Sequence, residues 1–203
     1  MNNDNVKNLY AICSAKWYNP FMRVYNRLVL SRAENEMVVF LKNNLDETKT
    51  ILELGCGTAR NLEKIYSLDL KFKKYLGLDF TPDMLNIARN KFKKNSNVEF
   101  QEKDITKLDD VNEKFDIILC IVVLSHIKDR PDFVNKSQEL LSNDGSYFLM
   151  MHTKPKWYIN WLDPFFKFFK TNLISGNEIQ EFKNTIRLNK YSGNLITTVV
   201  IHK

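Results

Sequence analysis

The chain has 203 residues, of which 44% are hydrophobic and 27% are charged. This composition supports one globular domain with a sizeable core and argues against extensive disorder. The net charge of +6 is concentrated in two short lysine clusters, at residues 71–74 and 91–94. It is compatible with a nucleic-acid or lipid partner but does not require one, because lysines also collect on solvated surfaces.

The three cysteines, Cys13, Cys56 and Cys120, have no spacing typical of a metal site. Their odd number also argues against a disulfide framework. The polar amino terminus lacks the basic start and apolar run of a signal peptide, and no apolar stretch reaches the roughly 18 residues needed to cross a bilayer. We therefore expect a reduced, cytoplasmic protein without a metal site.

The predicted elements alternate between strands and helices along most of the chain. Residues 6–44 have apolar side chains at helical spacing and predict one or two helices. Five strands follow, at residues 50–54, 74–78, 98–102, 115–122 and 146–152. Helices are predicted at residues 61–67, 82–93 and 130–141. The fourth strand carries an apolar run with no polar face, which is typical of a parallel strand covered on both sides.

The end of the chain predicts a β-hairpin. Residues 184–191 and 195–202 have strand patterns and are joined by Ser-Gly-Asn, a sequence that favours tight turns. Five βα units followed by this hairpin predict an α/β fold. The expected sheet is doubly wound, Rossmann-like, seven-stranded and mainly parallel, with one antiparallel strand from the C-terminal hairpin.

A glycine loop is predicted after the first strand, in the sequence Glu-Leu-Gly-Cys-Gly-Thr-Ala-Arg-Asn at residues 53–61. Gly55 and Gly57 permit a sharp turn and a close approach of the backbone to a ligand. Glu53, just before the turn, repels a diphosphate and attracts an ammonium group. The loop therefore favours a ligand with an amino-acid part over a dinucleotide.

Two aspartates follow the next two predicted strands. Asp79 ends the second strand, about 20 residues after the glycine loop, where an acidic side chain reaches ribose hydroxyls. The following helix has its own N-cap candidate in Thr81, with proline at the first helical position, which leaves Asp79 available to a ligand. Phe80 is placed to lie against an adenine, Asp104 to accept from its amino group, and Ile105 to flank the ring.

These motifs resemble the class I S-adenosylmethionine-dependent methyltransferase superfamily, in particular its small-molecule branch. The resemblance is carried by ELGCGTARN, LGLDFTPDML, EKDI and FDIILCIVVLSHI, and it covers about residues 45–152. It implies S-adenosyl-L-methionine as methyl donor and S-adenosyl-L-homocysteine as product. The expected cofactor-binding residues are Glu53, Gly55, Cys56, Gly57, Asp79, Phe80, Asp104, Ile105, Cys120 and Tyr18. Ala59 stands where the family usually has glycine, which is tolerable if its φ is negative.

The resemblance also divides the single domain 1–203 into a helical lid (1–44), a cofactor-binding core (45–152), an acceptor-side insertion (153–183) and the closing hairpin (184–203). Trp17 and Tyr18 in the lid are placed to contact a sulfonium through cation–π interaction, although core packing explains them equally well. Cys120 and Ile121, at the end of the fourth strand, are expected to line the methyl-donor side mainly through their backbone.

Two histidines and one aromatic segment bear on the methyl acceptor. His126 follows the fourth strand and His152 ends the fifth, so each is a candidate base, hydrogen-bond donor or helix-boundary residue. Residues 157–169 are rich in phenylalanine and tryptophan. They fit an apolar or aromatic acceptor pocket, a helix at a membrane surface, or packing on the sheet.

The leading hypothesis is methyl transfer to a nitrogen or oxygen of a small molecule, by in-line displacement with catalysis mainly by positioning. A methyltransferase acting on RNA or a membrane lipid remains an alternative, as does a non-catalytic protein that keeps the cofactor fold. Nucleic acid is disfavoured because the fourth strand ends in Cys-Ile-Val-Val. The superfamily's enzymes for amino groups of nucleic acids have Asn/Asp-Pro-Pro-Tyr/Phe there.

Overall fold

The computed structural model describes residues 25–155 and 172–203. In chain order the elements are a π-helical turn (Asn26–Leu30), α1 (Ser31–Asn44), β1 (Thr50–Leu54), α2 (Arg60–Ser67), β2 (Lys74–Asp79), α3 (Pro82–Phe92), β3 (Val98–Glu102), β4 (Phe115–Ile121), a 3₁₀ turn (Leu124–His126), α4 (Arg130–Ser137), a second 3₁₀ turn (Gln138–Leu140), β5 (Leu141–His152), α5 (Gly176–Gln180), β6 (Thr185–Tyr191) and β7 (Ile196–His202). Trp17, Tyr18 and the aromatic segment 157–169 lie outside the described residues. Among those described, no helix is long and apolar enough to cross a membrane.

The seven strands of the described chain form one sheet, in the order β3-β2-β1-β4-β5-β7-β6. Strand β7 runs antiparallel to β5 and β6, and the remaining neighbours are parallel. The predicted seven-stranded, mainly parallel sheet with one antiparallel strand is confirmed. Ser192, Gly193 and Asn194 have φ values of 49°, 64° and 67°, so the residues predicted for the hairpin turn adopt its left-handed backbone.

Apolar clusters cover both faces of the sheet, and successive strand residues contribute to opposite faces. Ile51 of β1 belongs to the cluster that contains Met37 and Phe40 of α1. Leu52, the next residue, belongs to the cluster on the other face, with Phe133 of α4. This alternation follows from the two-residue period of a strand, and each such burial contributes roughly 1.5–3 kcal/mol.

Two connections differ from the sequence prediction. The chain between β3 and β4, residues 103–114, contains turns and no helix, so the prediction of five βα units is wrong at this point. That segment has three aliphatic side chains among twelve residues, too few for the apolar stripe of a packed helix. The helix predicted at 130–141 ends at Ser137. Leu141 already belongs to β5, where it pairs with Phe115 of β4, and the pairing of these two strands then shifts register between Phe115 and Ile117.

Candidate functional site

A cavity of about 1100 Å³ lies at the edge of the sheet where the parallel strands end. The loop after β1, the chain after β2 and β3 and the segment after β4 all contribute to its wall. The wall contains eight of the predicted site residues: Gly55, Gly57, Asp79, Phe80, Asp104, Ile105, Ile121 and His126. The fold therefore brings together side chains from four separate strand ends.

The glycine loop is fastened to the end of β2. The N–H groups of Gly55 and Cys56 both donate to the carbonyl oxygen of Leu78, at 2.8 and 3.0 Å. Gly55 and Gly57 have φ values of +75° and +52°, which glycine adopts without strain. A Cβ atom on Gly55 would lie 2.5 Å from Cγ2 of Val123. The first glycine is therefore required both by its backbone conformation and by the packing of the segment after β4.

Asp79 joins the glycine loop to the start of α3. Its Oδ2 accepts a hydrogen bond from the N–H of Gly57 at 2.9 Å, and its Oδ1 accepts one from the N–H of Thr81 at 2.8 Å. Helix α3 begins at Pro82 as predicted, but the Thr81 side chain makes no capping bond. Thr81 thus occupies the N-cap position as expected, but Asp79 also bonds the backbone at this point rather than being wholly free for a ligand. A carboxylate has about four acceptor positions, so both oxygens retain capacity for a ligand hydroxyl.

Glu53 lies behind the glycine loop rather than on the cavity wall. It is 1% exposed, and its two oxygens accept hydrogen bonds from Asn61 Nδ2 at 2.7 Å and from the Tyr75 hydroxyl at 2.5 Å. Burial raises the pKa of Glu53 to about 7, against the lowering effect of those two bonds, and the charge of Asp79 adds to the rise. The side chain thus ties β1, β2 and α2 together from the core.

The raised pKa of Glu53 makes stability depend on pH. Between about pH 4.5 and about pH 7 the unfolded chain loses this proton while the folded protein retains it. The free energy of unfolding should therefore fall as pH rises through this window, by at most about 1.4 kcal/mol per pH unit, and level off above it. Denaturant titrations across the window should show this component in the wild type and not in Glu53→Gln. Equal pH dependence in the two proteins would contradict the assignment.

The remaining predicted cofactor residues divide between wall and core. Asp104 is on the wall, and its Oδ1 accepts hydrogen bonds from the N–H and the hydroxyl of Thr106, at 3.0 and 2.7 Å. Cys56 and Cys120 are buried free thiols. Burial raises the pKa of Cys120 to about 12, and its side chain belongs to the apolar cluster under the sheet. Neither cysteine is among the residues that line the cavity.

The segment after β4 contains wall residues that the sequence pattern did not reveal. Val122 has a φ of +61°, and its N–H donates to the carbonyl oxygen of Met150 at 2.7 Å. Val123 fills the space that a side chain on Gly55 would need. A left-handed β-branched residue is a rare outlier, and no local signal predicts it. Met84 of α3 also lines the cavity and was not predicted.

Ala59 does not have the negative φ that was expected. It is the N-cap of α2 with φ +60° and ψ +41°, in the left-handed region, because the loop turns there and its N–H donates to the Cys56 carbonyl oxygen at 2.9 Å. This conformation costs an alanine roughly 1–2 kcal/mol. The family's usual glycine would avoid that cost.

The two histidines occupy different positions relative to the cavity. His126 lies in the 3₁₀ turn after β4 and lines the wall, and burial lowers its pKa below the usual range. His152 is 8% exposed, with its Nε2 at 2.7 Å from the Tyr25 hydroxyl oxygen. Burial, with a smaller contribution from His126, lowers the pKa of His152 to about 4. Both imidazoles are therefore neutral near pH 7 and able to accept a proton.

Comparison with known proteins gives consistent matches. Residues 52–147 match a family described as "Methyltransferase domain". The mitochondrial ubiquinone biosynthesis O-methyltransferase of Saccharomyces cerevisiae is 27% identical over 179 residues, which cover 86% of this chain and 53% of that protein. The chain spans about half the length of the curated relatives it matches.

Solved structures share the fold. An S-adenosylmethionine-dependent methyltransferase from Clostridium acetobutylicum superposes with a TM-score of 0.66 at 17% identity, over 92% of this chain and 99% of that one. The N-methyltransferase NodS of Bradyrhizobium japonicum, in complex with S-adenosyl-L-homocysteine, gives a TM-score of 0.60 at 16% identity, over 76% of this chain and 78% of NodS. At these identities the likeness concerns the fold alone.

Proposed function

We propose that the chain, whose residues 52–147 match a methyltransferase domain, is a class I S-adenosylmethionine-dependent methyltransferase that transfers a methyl group from S-adenosylmethionine to a nitrogen or oxygen of a small molecule. The observation that carries the proposal is the position of Asp79. Its carboxylate is held by the N–H groups of Gly57 and Thr81 on the cavity wall. An acidic side chain there suits ribose hydroxyls.

The residues around the cavity fit the parts of this donor. The open backbone at Gly55 and Gly57, with Cys56 between them, would hold the methionine part; a Cβ on Gly57 would meet nothing nearer than Met84 Sδ at 3.5 Å. Asp79 would bind the ribose. The adenine would lie among Phe80, Asp104 and Ile105, and the backbone from Cys120 to Val123 would face the methyl-donor side. When bound, S-adenosylmethionine supplies an electrophilic methyl carbon on sulfur.

The chain's own contribution to the reaction is positioning and, for a hydroxyl acceptor, removal of a proton. We assign proton acceptance to His126 rather than His152, because His126 lines the cavity whereas His152 does not, and the Nε2 of His152 is already bonded to the Tyr25 hydroxyl. The proton would pass from the acceptor oxygen to an imidazole nitrogen of His126. The oxygen lone pair would form the bond to carbon while the carbon–sulfur pair leaves with sulfur. An amine acceptor needs no such base once it is deprotonated.

His126→Gln should slow the methylation of hydroxyl acceptors about 100-fold, the lower range for a general base. It should leave the affinity for S-adenosylhomocysteine within about twofold, because the donor-binding wall is unchanged. Transfer from methyl-labelled S-adenosylmethionine to a panel of phenols and primary amines measures this. His202→Gln is the matched control, since His202 binds Ser146 on the β5–β7 pair. Equal rates in wild type and His126→Gln on phenols would exclude His126 as the base.

The experiment that tests the function itself is calorimetric titration of the wild-type protein with S-adenosylmethionine and S-adenosylhomocysteine. Micromolar or tighter binding of both, followed by transfer to at least one panel member, is the expected result. No binding would overturn the proposal. Binding without transfer to any phenol, amine, RNA or lipid would favour the non-catalytic alternative.

The lysine clusters do not favour RNA or a membrane lipid as acceptor. Lys71, Lys74 and Lys91 form ion pairs with acidic residues, at 2.5, 2.7 and 3.0 Å. Lys74 begins β2, so it lies at the amino end of a strand whose carboxyl end carries the cavity. Steeply salt-dependent RNA binding or sedimentation with anionic vesicles would reverse this preference.

We also propose that the protein works in a reducing compartment, the cytoplasm. The support is chemical: Cys56 and Cys120 are buried free thiols in the described part of the chain. Thiols of this kind are typical of intracellular proteins.

A further inference from the structure

Arg130, the first residue of α4, is a buried arginine with three bonding partners. It is 8% exposed. Its Nε donates to the carbonyl oxygen of Leu124 at 3.0 Å, its Nη1 to Glu178 Oε1 at 2.5 Å, and its Nη2 to the carbonyl oxygen of Asn172 at 3.3 Å. A buried guanidinium needs such partners because its charge is costly to remove from water. The three acceptors belong to three different segments around the site.

Glu178 is a fixed anchor for this guanidinium. Its Oε2 accepts hydrogen bonds from the N–H and the hydroxyl of Ser175, at 2.9 and 2.8 Å, and its own N–H donates to Ser175 Oγ. Burial raises the pKa of Glu178, but the bonds from Ser175 and Arg130 outweigh it and lower the net pKa. The carboxylate is therefore charged at neutral pH, and a capping box fixes its position.

The chain that leads into the turn held by Arg130 is under backbone strain. The turn follows Val122, whose φ of +61° costs a β-branched residue at least about 1–2 kcal/mol. Such conformations persist only where surrounding contacts oppose their relaxation. The bond from Val122 N–H to Met150 secures the near side of the turn, and the bond from Arg130 to Leu124 secures the far side. His126, on the cavity wall, lies in this turn.

The same guanidinium ties the turn to the end of β5. The N–H of Asn172 donates to the carbonyl oxygen of Ser125 at 3.4 Å, and the N–H of Ile174 donates to that of His152 at 3.0 Å. Residues 172–174 thus lie between the His126 turn and His152. Arg130 adds a further connection, because its guanidinium donates hydrogen bonds to the carbonyl oxygens of both Leu124 and Asn172.

We propose that Arg130 is a positioning residue: its guanidinium holds the turn Leu124–His126 against the cavity and thereby sets the acceptor side of the site. The description of that wall as the acceptor side rests on the proposed function. We call the three hydrogen bonds of Arg130, to Leu124, Glu178 and Asn172, the clamp. These bonds are present in the ligand-free protein, so their effect on the turn can be measured without a substrate.

The test uses the three histidines of the chain, His126, His152 and His202. Their imidazole signals in an NMR pH titration can be assigned by single substitutions. Arg130→Lys keeps the charge, but an ammonium group cannot reproduce the fork that bonds three separate acceptors. Because the charge is kept, the charged and titratable groups near His126, namely Lys128, Asp129, His152 and the side chain at position 130, have the same charges in the variant as in the wild type. As the turn loosens and water reaches His126, its pKa should rise by about half a unit or more, while His202 stays unchanged.

Arg89→Lys is the matched control, because Arg89 donates to a backbone oxygen, that of Phe100, away from the turn. It should leave His126 unchanged. In Arg130→Lys the affinity for S-adenosylhomocysteine should stay within about threefold of wild type, since Arg130 does not line the glycine loop. An unchanged His126 titration, with only a lower melting temperature, would overturn the proposal. So would a more than tenfold loss of S-adenosylhomocysteine affinity with an unchanged His126 signal.

If Arg130→Lys does not fold, Glu178→Gln provides the second variant. It retains Arg130 but removes the charge of its anchor and one of the two acceptor oxygens that bond Arg130 and Ser175, so it should move the His126 titration in the same direction by a smaller amount. No movement in that variant would also overturn the proposal. Failure of the wild type to bind S-adenosylmethionine would instead contradict the proposed function and leave the clamp result intact.

Discussion

Asp79→Ala should weaken the binding of S-adenosylhomocysteine about 1,000-fold, measured by calorimetry at fixed salt. Two hydrogen bonds from ribose hydroxyls to a carboxylate are each worth about 1.5–3 kcal/mol, and 1.4 kcal/mol corresponds to tenfold in affinity. The substitution also leaves the N–H groups of Gly57 and Thr81 without their acceptor. The variant would then lose part of the preorganisation of the glycine loop as well as the proposed contact of Asp79 with the ribose.

Asp109→Ala is the matched control for this experiment. Asp109 is an exposed aspartate that lines the same cavity, so its removal changes the charge near the ligand by the same amount. It should change affinity by less than about threefold, because a solvated charge is strongly screened. Comparable losses in the two variants would mean that general electrostatic attraction, and not a contact with Asp79, accounts for binding.

Gly55→Ala should lower the free energy of unfolding by about 3 kcal/mol. The left-handed backbone at φ +75° costs a non-glycine residue about 1–2 kcal/mol, and overpacking a close contact costs about 1–3 kcal/mol more. The Cβ atom would lie 2.5 Å from Cγ2 of Val123. In a chain of this size the melting temperature should fall by about 6–12 °C.

Two further variants separate backbone strain from the steric clash. Gly176→Ala should change stability by less than about 0.5 kcal/mol, because no atom lies within 4 Å of its Cβ position. Combining Gly55→Ala with Val123→Ala should cost at least about 1 kcal/mol less than the sum of the two single changes, since the shortened side chain removes the clash. Strictly additive costs would show that the contact with Val123 does not limit position 55.

Features that depend on local backbone demands were predictable. The glycines at 55 and 57 were expected because a sharp turn needs left-handed residues, and both have positive φ. The hairpin was expected because Ser-Gly-Asn suits its turn. The predicted helices at residues 6–44 are confirmed from Asn26 to Asn44, whereas the role of this segment as a lid and that of the aromatic segment 157–169 remain predictions.

Roles that depend on a distant partner were not predictable in this way. Glu53 was expected to act towards a ligand, but Tyr75, 22 residues away, holds it in the core. The backbone strain at Val122 accompanies its hydrogen bond to Met150 of β5. The side chain of Val123 occupies the space that is free because Gly55 in the glycine loop has no side chain. A valine has no sequence signature for a left-handed conformation, because the conformation is imposed from outside the segment.

The sequence by itself determined the seven-stranded sheet, its closing hairpin and the glycine loop. The signals for these features, namely strand period, turn residues and apolar runs, come from residues that are close together in the chain. Only the tertiary structure decided that Asp79 bonds both Gly57 and Thr81 and that Glu53 lies behind the wall. It also decided that Arg130 reaches Glu178 across 48 residues. Such pairings form because a charged group that packing removes from water needs a bonding partner to offset its desolvation. That partner can lie anywhere along the chain.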